Sequence, residues 1–81
     1  MRIRVKLFAI LRDRAGCGEL ELELNRGADA GAALAHIAEN SPAIADLLPR
    51  AAVAVNLEYV NRNHVLREGD ELALIPPVSG G

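Results

Sequence analysis

The stretch "RIRVKLFAIL", residues 2–11, carries the strongest indication of the fold because charged and apolar residues alternate along it. Alternation with a period of two is typical of a β-strand that has one face in the core and the other outside it. The inward face is predicted to consist of Ile3, Val5, Leu7 and Ala9. The opposite face begins basic and ends apolar, and its residues are Arg2, Arg4, Lys6, Phe8 and Ile10.

A second strand is predicted at "ELELEL", residues 19–24, where Leu20, Leu22 and Leu24 alternate with glutamates. Between the two strands lies "DRAGCG", residues 13–18, whose glycines and aspartate are typical of a turn. Two adjacent strands joined by a short turn predict a β-hairpin. The three glutamates are interpreted as a solvated strand face rather than as paired catalytic carboxylates.

The middle of the chain predicts one main helix. Asp29 is a suitable N-cap, and apolar residues then recur at the spacing of one helical face as far as about Asn40. One further helical turn is expected at "AIADLL", residues 43–48. After it come three predicted strands, "AAVAVN" (51–56), "EYV" (58–60) and "ELALI" (71–75), and the turn sequences "NRNH" and "REGD" both lie between the second and the third.

This order of elements predicts an α+β protein of the ubiquitin-like β-grasp type, with one main helix packed across a mixed sheet. The first and last strands are expected to lie side by side and parallel. Residues 1–75 are predicted to form the domain, and residues 76–81 an extended C-terminal tail. In this layout Phe8 and Ile75 emerge on the outer face beside Ile10, with Tyr59 nearby, which indicates a partner surface. The alternative is that strand edges or a loop cover Phe8.

Composition narrows the class of protein. The 81 residues are enough for one domain, and the single cysteine, Cys17, excludes a disulfide framework, so a reducing, cytoplasmic location is expected. The net charge of −2 provides no basic field for nucleic acid. The early apolar run "LFAIL" is too short for a signal peptide and is followed at once by charges, so neither secretion nor a membrane span is expected.

The sequence ends in "PPVSGG", residues 76–81. Pro76 and Pro77 lack a backbone N–H, so they end the last strand and direct the chain outward in an extended form. Gly80 and Gly81 have no Cβ and fit a channel too narrow for any side chain. The group delivered would be the Gly81 carboxylate, which needs activation, for example as an acyl adenylate made with ATP, before a persulfide sulfur can replace its oxygen.

These features together resemble the MoaD family, the small sulfur-carrier subunits of molybdopterin synthase. The resemblance covers nearly the whole chain and is most specific at "LFAILRDRAG" (7–16), "VAVN" (53–56) and "LREGDELALIPPVSGG" (66–81). It implies a noncatalytic carrier in molybdenum cofactor biosynthesis whose Gly81 bears a thiocarboxylate. Tyr59 departs from the family pattern, since an aliphatic residue is frequent there.

The resemblance also implies partners. An E1-like enzyme would adenylate Gly81 with Mg-ATP, a sulfurtransferase or cysteine desulfurase would supply sulfur, and the large synthase subunit would receive the tail. Phe8, Tyr59 and Ile75 match the family's docking patch, and Arg12 matches a basic position beside it. The tail residues Pro76, Pro77, Val78 and Ser79 are expected to contact the partner as well, and Gly80 is grouped with Gly81 at the reactive terminus.

Other candidate sites are weaker. Cys17 has no neighbouring cysteine or histidine in the sequence and is interpreted as chemically idle. His36 and His64 lack a second ligand at helical or hairpin spacing, so no metal site is expected. No glycine-rich phosphate loop occurs, so any ATP is expected to be bound by a partner and no cofactor by this chain. Two alternatives stay open: a sulfur carrier for thiazole, cysteine or tRNA thiolation, and a ubiquitin-like binding or conjugation module.

Overall fold

Five β-strands form one mixed sheet in the computed structural model, which describes residues 1–77. Two α-helices and two short 3-10 turns accompany the sheet within those residues. In chain order the elements are β1 (Arg2–Leu7), α1 (Ala9–Ala15), β2 (Glu19–Glu23), α2 (Ala30–Asn40), the 3-10 turns Pro42–Ile44 and Leu48–Arg50, β3 (Ala52–Val55), β4 (Glu58–Val60) and β5 (Glu71–Ile75).

The strands are arranged in the order β2-β1-β5-β3-β4. β1 and β5 run parallel, with Val5 opposite Leu72 and Leu7 opposite Leu74, and the other three pairs are antiparallel. The predicted adjacency of the first and last strands is therefore confirmed. Because β1 has a partner on each side, its inward residues are shielded by both neighbours, and Val5 is completely buried.

The core lies between one face of the sheet and α2, as expected for a β-grasp fold. The helix begins where the Asp29 side chain accepts a hydrogen bond from the backbone N–H of Ala32 at 2.8 Å, which satisfies one of the free N–H groups of the first turn. Leu34 and Ile37 on α2 then pack onto the sheet as part of the buried cluster. The predicted cap, helix and packing are confirmed.

The prediction for the segment after β1 was wrong in one respect. The strand ends at Leu7, and residues 9–15 form α1, so β1 and β2 pair as antiparallel strands without a tight hairpin turn. The helix places Leu11 in the core, where it is fully buried, and leaves Ala9 exposed although an inward position was expected. Gly16 ends the helix with φ +80°, a left-handed conformation that glycine adopts without steric cost.

The segment between α2 and β3 forms two 3-10 turns instead of one helical turn, and these bury Ile44 and Leu48. The second turn is held by Arg62, whose Nη2 lies 2.8 Å from the carbonyl oxygen of Leu48, 3.2 Å from that of Pro49 and 3.3 Å from that of Ala51. The loop after β4 is thereby fixed to the turn before β3.

Candidate partner-binding site

The face of the sheet opposite α2 is divided into a charged half and an apolar half. On β1 and β2, Arg2 pairs with Glu23 at 3.4 Å and Arg4 pairs with Glu19 at 3.1 Å. These side chains are mostly exposed, so the pairs contribute little stability. Their effect is to keep this half of the face hydrated, in agreement with the predicted solvated role of the glutamates.

The apolar half contains a shallow depression of about 370 Å³, referred to below as the apolar hollow. Its lining residues are Phe8, Ala54, Leu57, Tyr59, Ala73 and Ile75. Ala54 lies opposite Ala73 across the β3–β5 pair and opposite Tyr59 across the β3–β4 pair. The two alanines form a low floor because their side chains are short, and the larger side chains stand around it.

The large side chains of the apolar hollow are accessible. Tyr59 is 74% exposed and Phe8 is 44% exposed, whereas Ile75 is half-buried. Contiguous exposed apolar surface on a small domain usually marks a binding surface, because its contact with water is unfavourable and a bound partner removes that contact. The sequence predicted that Phe8, Tyr59 and Ile75 share one surface, and the structure brings them together. Ile10 lies on α1 and does not line the apolar hollow.

Arg12, the basic residue implied to flank this surface, lies on α1. Its aliphatic stem runs so close to Gly18 that a Cβ on that glycine would stand 3.2 Å from the Arg12 Cδ. The side chain is exposed, does not line the apolar hollow and forms no ion pair with any of residues 1–77. Its role as a charge contact stays a prediction.

Sequence reasoning missed Leu57, which forms one wall of the apolar hollow and is 91% exposed. The feature of the sequence that could have identified it is the dipeptide Asn56-Leu57 between two short strands. A two-residue turn at that point places both side chains at the surface. Ala54 and Ala73 were missed too. Their position opposite each other depends on the strand register, which the sequence alone did not provide.

Backbone strain is concentrated beside the apolar hollow. Within residues 1–77, the non-glycine residues with positive φ are Ala9 at 51°, Asn56 at 49° and Leu57 at 73°. Ala9 follows Phe8, and Leu57 lines the apolar hollow itself. Residues other than glycine pay a steric cost in this conformation, and such residues are concentrated at functional sites.

The C-terminal tail begins at the edge of this surface. β5 ends at Ile75, and Pro76 and Pro77 follow without regular secondary structure, the first half-buried and the second exposed. The predicted tail contacts Val78, Ser79, Gly80 and the carboxylate-bearing Gly81 lie outside the described residues.

The weaker candidates are dispersed. Cys17 is a half-buried free thiol, His36 lies on α2, and His64 lies in the loop after β4. No group of three or more His, Cys, Asp and Glu side chains in residues 1–77 is placed to hold a metal ion. In the same part of the chain, no helix is both long and apolar enough to span a membrane.

Comparisons with known proteins agree with this geometry. Residues 5–81 match the ThiS family. The molybdopterin synthase sulfur carrier subunit of Chlamydomonas reinhardtii is 41% identical over 83 residues, which covers all of both chains. SAMP1 from Haloferax volcanii, a small archaeal modifier protein, superimposes with a TM-score of 0.90 at 31% identity over all of both chains.

A solved complex of subunits 1 and 2 of molybdopterin-converting factor from Helicobacter pylori also contains a similar chain. It matches with a TM-score of 0.71 at 27% identity, again over the full length of both chains. Together with the β-grasp sheet, the family match and the full-length identity establish the relationship that the MoaD resemblance predicted. The chain belongs to the ThiS family, in which it groups with the molybdopterin synthase sulfur carrier subunits.

Proposed function

We propose that this chain is the sulfur-carrier subunit of a molybdopterin synthase. The observation that carries the proposal is the apolar hollow at the end of β5, the strand from which the Gly-Gly tail continues. A partner that covers the hollow would receive the tail from a fixed point. Full-length similarity to relatives named as such carriers supports the same conclusion.

The large synthase subunit is the proposed partner at this surface. Phe8, Tyr59 and Ile75 dock against it, and Arg12 supplies a flanking charge contact. The solved complex of the two Helicobacter pylori subunits, which includes a chain similar to this one, supports such an assembly. Binding is driven mainly by removal of the hollow's apolar side chains from water.

The tail carries the chemistry. Pro76 and Pro77 restrict the exit direction, and Val78 and Ser79 lead to Gly80 and Gly81, whose lack of side chains suits a narrow channel. Six residues at ~3.3–3.6 Å each span at most about 20 Å, which is enough to reach into a partner's active site. The chain provides the reactive terminus, and the partners provide the catalytic groups.

Formation of the thiocarboxylate proceeds in two stages. An E1-like enzyme transfers AMP from Mg-ATP to the Gly81 carboxylate and releases pyrophosphate, which turns a poor leaving group into a good one. The terminal sulfur of a persulfide, carried by a sulfurtransferase or cysteine desulfurase, then attacks the carbonyl and displaces AMP. A thiol of the donor cleaves the resulting S–S bond, which leaves the thiocarboxylate on Gly81 and a disulfide on the donor.

The charged carrier then delivers its sulfur to cyclic pyranopterin monophosphate in the large subunit, and two deliveries build the dithiolene of molybdopterin. The activating enzyme and the large subunit use the same apolar hollow, so their complexes exclude each other. All these steps are proposed to occur in the cytoplasm, with no cofactor bound by the carrier itself.

The experiment that tests this function is intact-mass spectrometry of the purified chain after incubation with the activating enzyme, Mg-ATP and a sulfur donor. We expect a mass gain that corresponds to the exchange of one oxygen for sulfur. A variant that lacks Gly81 is the control and should gain nothing. An unchanged mass in the presence of an activating enzyme that consumes ATP would contradict the proposal.

A ubiquitin-like conjugation module is the second candidate, because the similarity to the archaeal modifier protein SAMP1 favours it. In that case Gly81 would end in an isopeptide bond to a lysine of a target protein. Higher-mass species in cell extracts that carry Gly-Gly remnants on lysines would support this candidate. The remaining alternative is a sulfur carrier for thiazole synthesis, cysteine synthesis or tRNA thiolation. The identity of the large subunit that copurifies with the chain would distinguish it from a molybdopterin synthase carrier.

A further inference from the structure

The turn between β3 and β4 has an unusual composition for its geometry. Val55 and Glu58 form the last pair of the two strands, so Asn56 and Leu57 alone make the connection. Their φ angles of 49° and 73° are those of a type I′ turn, in which both central residues are left-handed. Asparagine followed by glycine is the preferred sequence for such a turn. Here a leucine takes the position that glycine fills best.

Asn56 holds this turn through three hydrogen bonds to Glu71, the first residue of β5, and to Asp70 directly before it. Its Nδ2 donates to Asp70 Oδ1 at 2.9 Å, and its Oδ1 accepts from the Glu71 N–H at 3.0 Å. Its own N–H donates to the Glu71 carbonyl at 2.9 Å. The side-chain amide is therefore bonded through both its nitrogen and its oxygen to residues 70–71, which fixes the turn relative to the floor of the apolar hollow.

Leu57 gains nothing from the fold that would offset this conformation. It is 91% exposed, so its side chain buries almost no apolar area within the described chain. The residue therefore combines a strained backbone with a solvated apolar side chain, two unfavourable properties at one position. Burial of the side chain by a partner would offset the cost of the strained backbone, and the fixed turn would present the side chain with little ordering cost on binding.

The position of Leu57 indicates which partner covers it. Leu57 lies in the turn that Asn56 holds against the start of β5, whereas Ile75 is the last residue of β5, and both line the apolar hollow. The four residue steps between Glu71 and Ile75 span about 13 Å of strand. A protein that fills the hollow from the end where the tail leaves must meet Leu57 as the opposite wall.

We propose that Leu57 is a contact residue for the large synthase subunit and that Asn56 is the positioning residue that holds it in place. This inference rests on the proposed function. The partner is expected to offer an apolar recess to Leu57, so the interface extends along β5 to the β3–β4 turn and is not limited to the root of the tail.

The test is the dissociation constant of the complex between the full chain and the large molybdopterin synthase subunit of the same organism, measured for Leu57→Gly. Glycine relieves the left-handed strain, so the melting temperature should stay unchanged or rise. Binding should nevertheless weaken by about tenfold, as for a well-packed apolar contact. Val65→Ala is the matched control, since Val65 is 55% exposed and lies outside the apolar hollow.

A double-mutant cycle tests the role of Asn56. Asn56→Ala should weaken binding when it is made in the chain that retains Leu57. The same substitution should have little further effect in the Leu57→Gly variant, because Asn56 acts through Leu57. Equal losses in both backgrounds would show that Asn56 only stabilises the fold and would overturn its positioning role.

The outcomes separate this inference from the proposed function. If the unaltered chain binds the large subunit and Leu57→Gly binds equally well, the Leu57 contact is overturned and the carrier function stands. If the unaltered chain does not bind the large subunit at all, both are overturned. Weaker binding of Leu57→Gly with unchanged binding of Val65→Ala supports the inference.

Discussion

Phe8 and Ile75 line the same apolar hollow although they come from opposite ends of the chain. Leu7 and Leu74 lie opposite each other at the end of the parallel pairing between β1 and β5. Phe8 follows Leu7 directly in the chain, and Ile75 follows Leu74. The parallel pairing thus places the end of the first strand beside the point where the tail leaves. Under the proposed function, a partner bound to this surface would therefore lie next to the root of the tail at Pro76 and Pro77.

Phe8→Ala and Ile75→Asp should each weaken binding of the large subunit by about 1–3 kcal/mol, because buried apolar anchors dominate the energy of most interfaces. Phe8 is 44% exposed, so its truncation should change the melting temperature little. Isothermal titration and thermal unfolding, measured side by side, check both effects. A parallel loss of stability and binding would show that these side chains belong to the core.

Addition of one alanine after Gly81 should abolish thiocarboxylate formation without affecting the fold. The extra residue moves the carboxylate by ~3.3–3.6 Å and brings a methyl group into a channel that suits glycine. Intact mass after incubation with the activating enzyme, Mg-ATP and a sulfur donor measures the effect. Glu39→Ala, at an exposed position on α2, is the control and should be sulfurated normally. Normal sulfuration of the extended chain would contradict delivery through a fitted tail.

Leu11→Ala should lower the free energy of unfolding by about 2–5 kcal/mol, because it leaves a cavity beneath α1. Leu11 is fully buried, whereas its neighbour Ile10 is 43% exposed. Ile10→Ala is therefore the matched control and should cost only about 0.5 kcal/mol. Urea denaturation of both variants decides the matter. Similar losses in the two would be incompatible with the helix that separates β1 from β2.

Arg62→Ala should destabilise the fold by about 1–3 kcal/mol, because it removes the guanidinium donor that the carbonyl groups of Leu48, Pro49 and Ala51 share. Arg62→Lys should restore only part of the loss, since an ammonium group lacks the planar geometry of guanidinium. Chemical denaturation gives the free energies. Full recovery with lysine would indicate that charge, and not the hydrogen-bond geometry, fixes the loop.

Much of the fold follows from local patterns. The alternation in β1, β2 and β5 defines inward faces, and Asp29 marks the start of α2, because these signals depend only on residues close in sequence. The prolines and glycines after Ile75 likewise predict a tail from their own backbone chemistry, and this stays a prediction beyond Pro77. The predicted proximity of Phe8 and Ile75 required the additional assumption of parallel first and last strands, and Tyr59 was assigned to the same patch by the family resemblance.

Other features were decided by tertiary contacts. The alternation in "RIRVKLFAIL" continues past Leu7 and predicts strand, yet the chain forms a helix there, which buries Leu11 in the core and leaves Ala9 and Ile10 exposed. The conformation of Leu57 was equally hidden, since the hydrogen bonds of Asn56 that fix it run to Asp70 and Glu71, distant in sequence. The sequence by itself determined the strands and the main helix through local periodicity, whereas the apolar hollow and its Leu57 wall exist only because strand register joins separate segments.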